Sequence, residues 1–197
     1  MSDAGEMAPL IHGLCEADSS RRATAAAEIF VRGSQMAQAA TQDWLAYPPI
    51  ANLLVRNPSG APETTVGIAV EPDNFERIRS ANESPRLADV PPDQDAREFE
   101  LEFVDGVRLD VLTTHQPGGP GAIARYLQKF GEGIQQIEIN VTDVDRATEI
   151  LRTRFAVEAI YPATRAGADG TRINFFLAPT PHGKKVLIEL VEAATKT

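Results

Sequence analysis

Two stretches of this chain repeat one pattern, and that repetition constrains the fold more than any other feature. Residues 65–70 (TVGIAV) alternate, with Val66, Ile68 and Val70 on one face, and a short helix is expected over Phe75 to Ala81. Residues 136–141 (QIEINV) alternate in the same way, with Ile137, Ile139 and Val141 on one face, and an amphipathic helix is expected over Asp143 to Phe155. Each series closes on a strand with an inward acid, Asp110 in VRLDVL and Glu189 in VLIELV. Aligning the series sets Thr65 opposite Gln136 and Asp110 opposite Glu189, at separations of 45 and 53 residues. One βαβββ module made twice, the first copy shorter, accounts for both series.

The intervening segments fill out the modules. Arg97 to Val104 (REFELEFV) alternates, with Phe99, Leu101 and Phe103 on one face, and Asp105-Gly106 is a hairpin signal before the strand Val107 to Leu112. The Pro- and Asp-rich residues 85–96 read as a strand with a loop. A Gly/Pro loop over Gln116 to Gly121 leads to a helix over Ala122 to Phe130 that stops at Gly131. Further strands are expected at Val157 to Tyr161 and Arg172 to Leu177, with a loop over Ala166 to Gly170. A turn over Pro179 to Lys184 precedes the last strand, Lys185 to Val191.

Residues 1–60 differ in character. From Ser19 to about Tyr47 the chain is Ala-rich, and Ile29, Phe30, Gly33, Met36, Ala37, Ala40, Trp44 and Leu45 recur at helical spacing. One long amphipathic helix is expected, capped by Asp18, Ser19 or Ser20, with Gly33 as a candidate interruption and Pro48-Pro49 at its end. Its apolar stripe must be buried on the rest of the chain or on a second subunit. The turn-rich residues 57–62 then read as a linker. The expected organisation is an N-terminal helical extension and linker over 1–60 and an α+β domain of paired βαβββ modules over 61–192. Its first module spans about 64–114, the connecting loop and helix 115–131, and the second module about 134–192.

Charge and cysteine content narrow the partners. The net charge of −9 gives no electrostatic footprint for nucleic acid or an anionic membrane. No apolar run approaches the roughly 20 residues that span a bilayer, and the start MSDAGEMAPLIHG lacks the pattern of a signal peptide. Cys15 is the one cysteine, so no intrachain disulfide forms, and a cytoplasmic setting is expected.

Residues 122–151 (AIARYLQKFGEGIQQIEINVTDVDRATEIL) and 165–192 (RAGADGTRINFFLAPTPHGKKVLIELVE) resemble the vicinal oxygen chelate superfamily, and within it methylmalonyl-CoA epimerase-like proteins. The likeness covers roughly Thr64 to Glu192 and is strongest from about residue 120 onward. It implies an open sheet curled into a cup, and a homodimer. It implies a divalent metal that holds vicinal oxygens of a substrate and stabilises a developing enolate, while a carboxylate moves the proton. Two ligands come from the first strands of the modules and two from the last. This chain departs from the usual set, having Thr65 and Gln136 where the family commonly has His, while Asp110 and Glu189 keep the closing-strand acids. The metal set implied here is Gln136, Asp110 and Glu189, which as oxygen donors suit Mg, Mn or Ca, with Co or Ni also to be tested. No nucleotide cofactor is indicated.

Strand parity adds the neighbours. If the apolar faces pack on helices, Thr65, Arg108, Asp110, Gln136, Glu138, Asn140 and Glu189 face the cup. Glu189 and Asp110 are then the candidate proton-transfer residues, and Gln136, Glu138, Asn140, Arg108 and Thr65 the candidate substrate contacts. The plainer alternatives are an Arg108 salt bridge to Asp110 or Glu189 and a polar network that closes a dead site. Two functions follow: an isomerase or lyase acting by proton abstraction next to a carbonyl on a small acid or acyl thioester, or a metal-free protein that binds or sequesters a small molecule. The Gly-rich runs 118–121 and 167–170 lack phosphate-loop spacing. His12 and Cys15 lack a third catalytic partner, and His115 and His182 fall outside the ligand-bearing strands.

Overall fold

The computed structural model of the protein describes residues 3–180 and 185–194. Its helices are α1 (Asp3–Gly13), α2 (Ser19–Leu45), α3 (Pro48–Ala51), α4 (Pro72–Ala81), α5 (Ala122–Phe130) and α6 (Val144–Phe155). Its strands are β1 (Thr64–Ala69), β2 (Ala96–Glu102), β3 (Arg108–Thr114), β4 (Gly133–Asn140), β5 (Arg165–Ala166), β6 (Arg172–Pro179) and β7 (Lys185–Glu192). The chain forms two compact units, residues 1–32 with 65–135 and residues 33–64 with 136–197.

In the first unit, β3 lies between β2, to which it is antiparallel, and β1, to which it is parallel. Alternation decides which face is apolar. Val66, Ile68, Leu109, Val111, Phe99 and Leu101 are buried, as are Phe75 and Ile78 of α4. Phe75 meets Phe99 edge-on, with centroids 4.8 Å apart. On the opposite face, Ala69, Ala96 and Leu112 pack against Ile123 and Leu127 of α5. Thus α5 covers one end of the face expected to be open, leaving the end that carries Arg108 and Asp110. The β2–β3 hairpin turns on Asp105 (φ 61°) and Gly106 (φ 74°), the left-handed pair that Asp-Gly supplies. Residues 85–95 form no strand, contrary to expectation. They hold to β2 through the Ala88 N–H to Glu98 O bond, and a 3₁₀ turn follows at Pro92–Gln94. Pro85, Pro91 and Pro92 have no N–H to donate to a ladder.

Helix α1 was not expected from the sequence. Met7, Ile11 and Leu14 recur at helical spacing and are buried. Gly13 brings α1 close to α2, since a Cβ there would stand 2.7 Å from that of Ala25. Asn82, at the end of α4, joins the two helices: its amide accepts from Arg22 and donates to the Leu14 carbonyl. The expected helix over 19–47 is found as α2, unbroken at Gly33 and opened by Asp18, whose side chain accepts from Ser20 N–H. No helix among the described residues is long and apolar enough to cross a membrane.

The second unit orders its strands β4-β7-β6-β5, with β7 parallel to β4 and antiparallel to β6. The helix-facing side carries Ile137, Ile139, Ile188, Leu190 and Phe176, all buried. Trp44 of α2 meets Phe176 edge-on at 6.4 Å. Of the α2 stripe, Ile29, Ala37 and Trp44 are buried in the chain, and Phe30, Met36 and Leu45 are partly covered. Helix α6 starts on the Asp143 side chain, which accepts from Arg146 N–H, and Glu192 accepts from Val144 N–H. The linker is docked rather than loose, because Val55 N–H donates to Asn140 O and Asn140 N–H donates to Glu63 O.

The strand expected at Val157 to Tyr161 is reduced to one bridge, Ala159 to Phe176. The pairing falls instead at Arg165–Ala166. The turn after β5 uses Asp169 (φ 51°) and Gly170 (φ 75°). Gly167 is needed for close approach, as a Cβ there would lie 2.5 Å from Thr171 Oγ1. Residues 181–184, with His182 in the expected turn, lie outside the described residues.

The internal repeat is legible in the strand registers. Gly67 pairs with Asp110, and Glu138 pairs with Glu189. In each unit the closing-strand acid thus stands opposite the residue two places after Thr65 or Gln136. The alignment drawn from sequence matches the ladder geometry.

Candidate functional site

In the second unit, Gln136, Glu138 and Asn140 alternate onto one face of β4, because the intervening Ile137 and Ile139 are buried on the other. Glu189 joins that face from β7, in register with Glu138. Two carboxylates side by side on adjacent strands need a donor between them, and Gln136 provides one. Its amide Nε2 donates to Glu189 Oε2 at 2.5 Å and to Glu138 Oε1 at 3.2 Å. Gln136 and Glu189 are each only 6% exposed, so this hydrogen bond forms where water has little access. Asn140 is half-buried, and its backbone anchors the segment that enters β1. Beyond the polar group, Phe175 stands in register with Glu189, and Leu177 with Leu187. Tyr161 packs edge-on to Phe175, and Arg165 lies 4.3 Å above the Tyr161 ring. The face is therefore polar at β4 and apolar towards β6.

In the first unit, Thr65 and Asp110 are buried polar residues at 3% and 8% exposure. Asp110 stands in register with Glu100 of β2 and Gly67 of β1. Arg108 donates to Glu100 Oε1 through Nε at 2.6 Å, a pair half open to solvent. Glu100 was not among the partners weighed for Arg108 from the sequence. Glu98 and Glu100 share the face of Asp110, and sequence reasoning missed them. The signal was present, because the burial of Phe99 and Leu101 sends Glu98 and Glu100 to the other side. Burial pushes the Cys15 thiol up, and its Sγ points at the Ile11 carbonyl.

No family model matches the sequence, and no curated protein matches it. Solved structures do. Methylmalonyl-CoA epimerase from Mycobacterium tuberculosis is 32% identical, with a TM-score of 0.53, over 66% of this chain and 87% of that one. The chain belongs to the vicinal oxygen chelate superfamily. A methylmalonyl-CoA epimerase in complex with methylmalonyl-CoA and NH4+ is 28% identical, with a TM-score of 0.52, over 68% of this chain and 95% of that one. A variant of the Streptomyces coelicolor epimerase in complex with 2-nitronate-propionyl-CoA is 27% identical, with a TM-score of 0.53, over 68% and 99% of the two chains.

Superfamily membership implies a divalent cation, and the donors present do not fit one. Among the described residues no group of three or more His, Cys, Asp or Glu is arranged to hold a metal. His12 lies in α1 and His115 follows β3, outside the strands that carry Asp110, Gln136 and Glu189. In the second unit it is the NH2 end of Gln136, and not its carbonyl, that meets the carboxylates. A cation needs lone pairs at that point, and the amide presents hydrogens.

Proposed function

We propose that this vicinal oxygen chelate protein is an isomerase of small acids or acyl thioesters, working by proton abstraction next to a carbonyl. The observation that carries the reading is Glu189, a buried carboxylate held at 2.5 Å by Gln136 on the closing strand of the second module. It is supported by membership in a superfamily whose solved relatives here are epimerases with acyl-CoA ligands. Glu189 is buried and stands in register with Phe175, so water has little access to it. In the reaction Glu189 takes the proton from the carbon beside the thioester carbonyl. The C–H pair becomes the enolate double bond, and charge moves to the carbonyl oxygen. Return of a proton to the opposite face inverts the carbon. Asp110 is the second proton-transfer candidate. On the face of the second unit Glu138 and Asn140 contact the substrate and Gln136 positions Glu189, while Thr65 and Arg108 are candidate contacts on the face of the first unit. The catalytic domain spans 61–192, with residues 1–60 as its extension.

The test is hydrogen exchange at the substrate carbon. Native protein with methylmalonyl-CoA in D2O should wash deuterium into the α position, read by NMR or mass spectrometry. Glu189→Gln keeps shape and hydrogen bonding and should slow exchange by about 10²–10⁴-fold. A second reading is a metal-free binding protein, favoured because Gln136 and Glu189 bond to each other. It predicts no exchange from any acyl-CoA, while one such ligand still raises Tm.

A further inference from the structure

The sharpest disagreement between this chain and its superfamily lies at Gln136, and it has a chemical meaning. Glu138 and Glu189 are register partners on parallel strands, so their carboxylates share one face. Two anions at neighbouring positions repel unless something positive or hydrogen-donating stands between them. A divalent cation is one such group. Here a single amide nitrogen meets both, at 3.2 Å to Glu138 Oε1 and 2.5 Å to Glu189 Oε2. The amide NH2 has two hydrogens, one for each carboxylate.

We propose that the Gln136 amide takes the place of the cation, bridging Glu138 and Glu189 so that this face binds its ligand without a metal. The inference rests on the reading of the Glu189 face as the ligand site. For a cation to enter, the amide must turn over. Its carbonyl would then stand against Glu138 and both hydrogen bonds to carboxylates would be lost. The bridge thus disfavours the metal by occupying the carboxylates and by turning hydrogens towards them.

The experiment is calorimetry on the full chain, stripped with chelator, with Mg2+, Mn2+, Co2+, Ni2+ and Zn2+ added one at a time. Native protein should show no stoichiometric binding, and its Tm should be the same with chelator and with each ion. Gln136→His replaces the bridge with a ligand nitrogen beside two carboxylates, and should create a 1:1 isotherm for Ni2+ or Zn2+ with an ion-dependent rise in Tm. Adding Glu189→Ala to that variant should abolish both signals. A native protein that binds one equivalent and loses it on Glu189→Ala overturns the proposal. So does a Gln136→His variant with native circular dichroism that still takes no ion, because the amide would then not be what excludes the metal. These outcomes need no substrate. Failed α-proton exchange alongside them counts against the proposed reaction and not against the bridge.

Discussion

Glu189 and Gln136 show what a single side-chain pair does for this protein. Replacing Gln136 with Leu keeps the volume but removes the donor from two carboxylates. The expected cost is about 1–3 kcal/mol in urea unfolding, the usual penalty for stripping a partner from a buried polar group. Gln136→Glu should cost more, because it adds a third carboxylate to a face that already holds two. A variant as stable as the native protein would show that the bridge contributes nothing to folding. The positions of both residues were legible in the sequence, since alternation in QIEINV and VLIELV fixes their face. Their direct contact was not, because it depends on the β4–β7 register, which pairs residues 51 positions apart. Arg108 teaches the same lesson. Its inward direction was readable, but its partner Glu100 comes from a strand whose pairing is set by the Asp105-Gly106 hairpin.

At the scale of elements, two ends deserve tests. The start of α6 is tied by Asp145, which accepts from Thr164 and Arg172, while Arg172 also reaches Glu192 at 3.0 Å. The Thr164 hydroxyl, and then Arg172, hold the Asp145 carboxyl below its ordinary range. A carboxyl whose value falls on folding stabilises the fold above its unfolded value, and that stabilisation is lost as pH falls through the lower folded value. Asp145→Asn should therefore lower Tm at neutral pH. The gap to native protein should close as pH drops below about 4, where unfolded carboxylates take up protons. A gap independent of pH would mean that the carboxylate charge is not involved.

The other end is α1. Ile11 and Leu14 are 1% and 0% exposed, so Ile11→Ala or Leu14→Ala should cost about 2–5 kcal/mol by denaturant unfolding. A loss below about 0.5 kcal/mol, the range of ordinary surface changes, would show that α1 is not part of the core. The sequence hid this helix because Pro9 interrupts the pattern six residues after its start, where the ring normally ends a helix. At Ala159 the sequence pattern suggests a strand where the structure has one bridge, for the opposite reason. Short alternating runs such as VEAIY pass the period-2 test without the partner that a ladder needs.

Across the whole molecule, the internal repeat was the most informative feature of the sequence. It fixed which acids end corresponding strands, and the registers Gly67–Asp110 and Glu138–Glu189 bear the alignment out. What the repeat could not show is how the chemistry of the site has been rewritten around those acids. A histidine replaced by Gln136 reads as a missing ligand in sequence, and as an occupied position once its two hydrogen bonds are seen. Asp110 and Glu189 occupy equivalent strand positions in surroundings that differ. Glu189 has an amide donor on it, while Asp110 lies beside the acidic row of Glu98 and Glu100. With Glu189 as the proposed base, Asp110→Asn should slow exchange less than Glu189→Gln does. Equal losses would contradict that assignment.

The most direct measurement is the initial rate of α-deuterium incorporation into an acyl-CoA thioester by native protein and by Glu189→Gln, both shown to be folded and both in chelator. The native protein should show measurable exchange, and the variant a loss of about 10²–10⁴-fold. Equal rates in the two proteins would contradict this, because the proton would then be moved by a group other than Glu189.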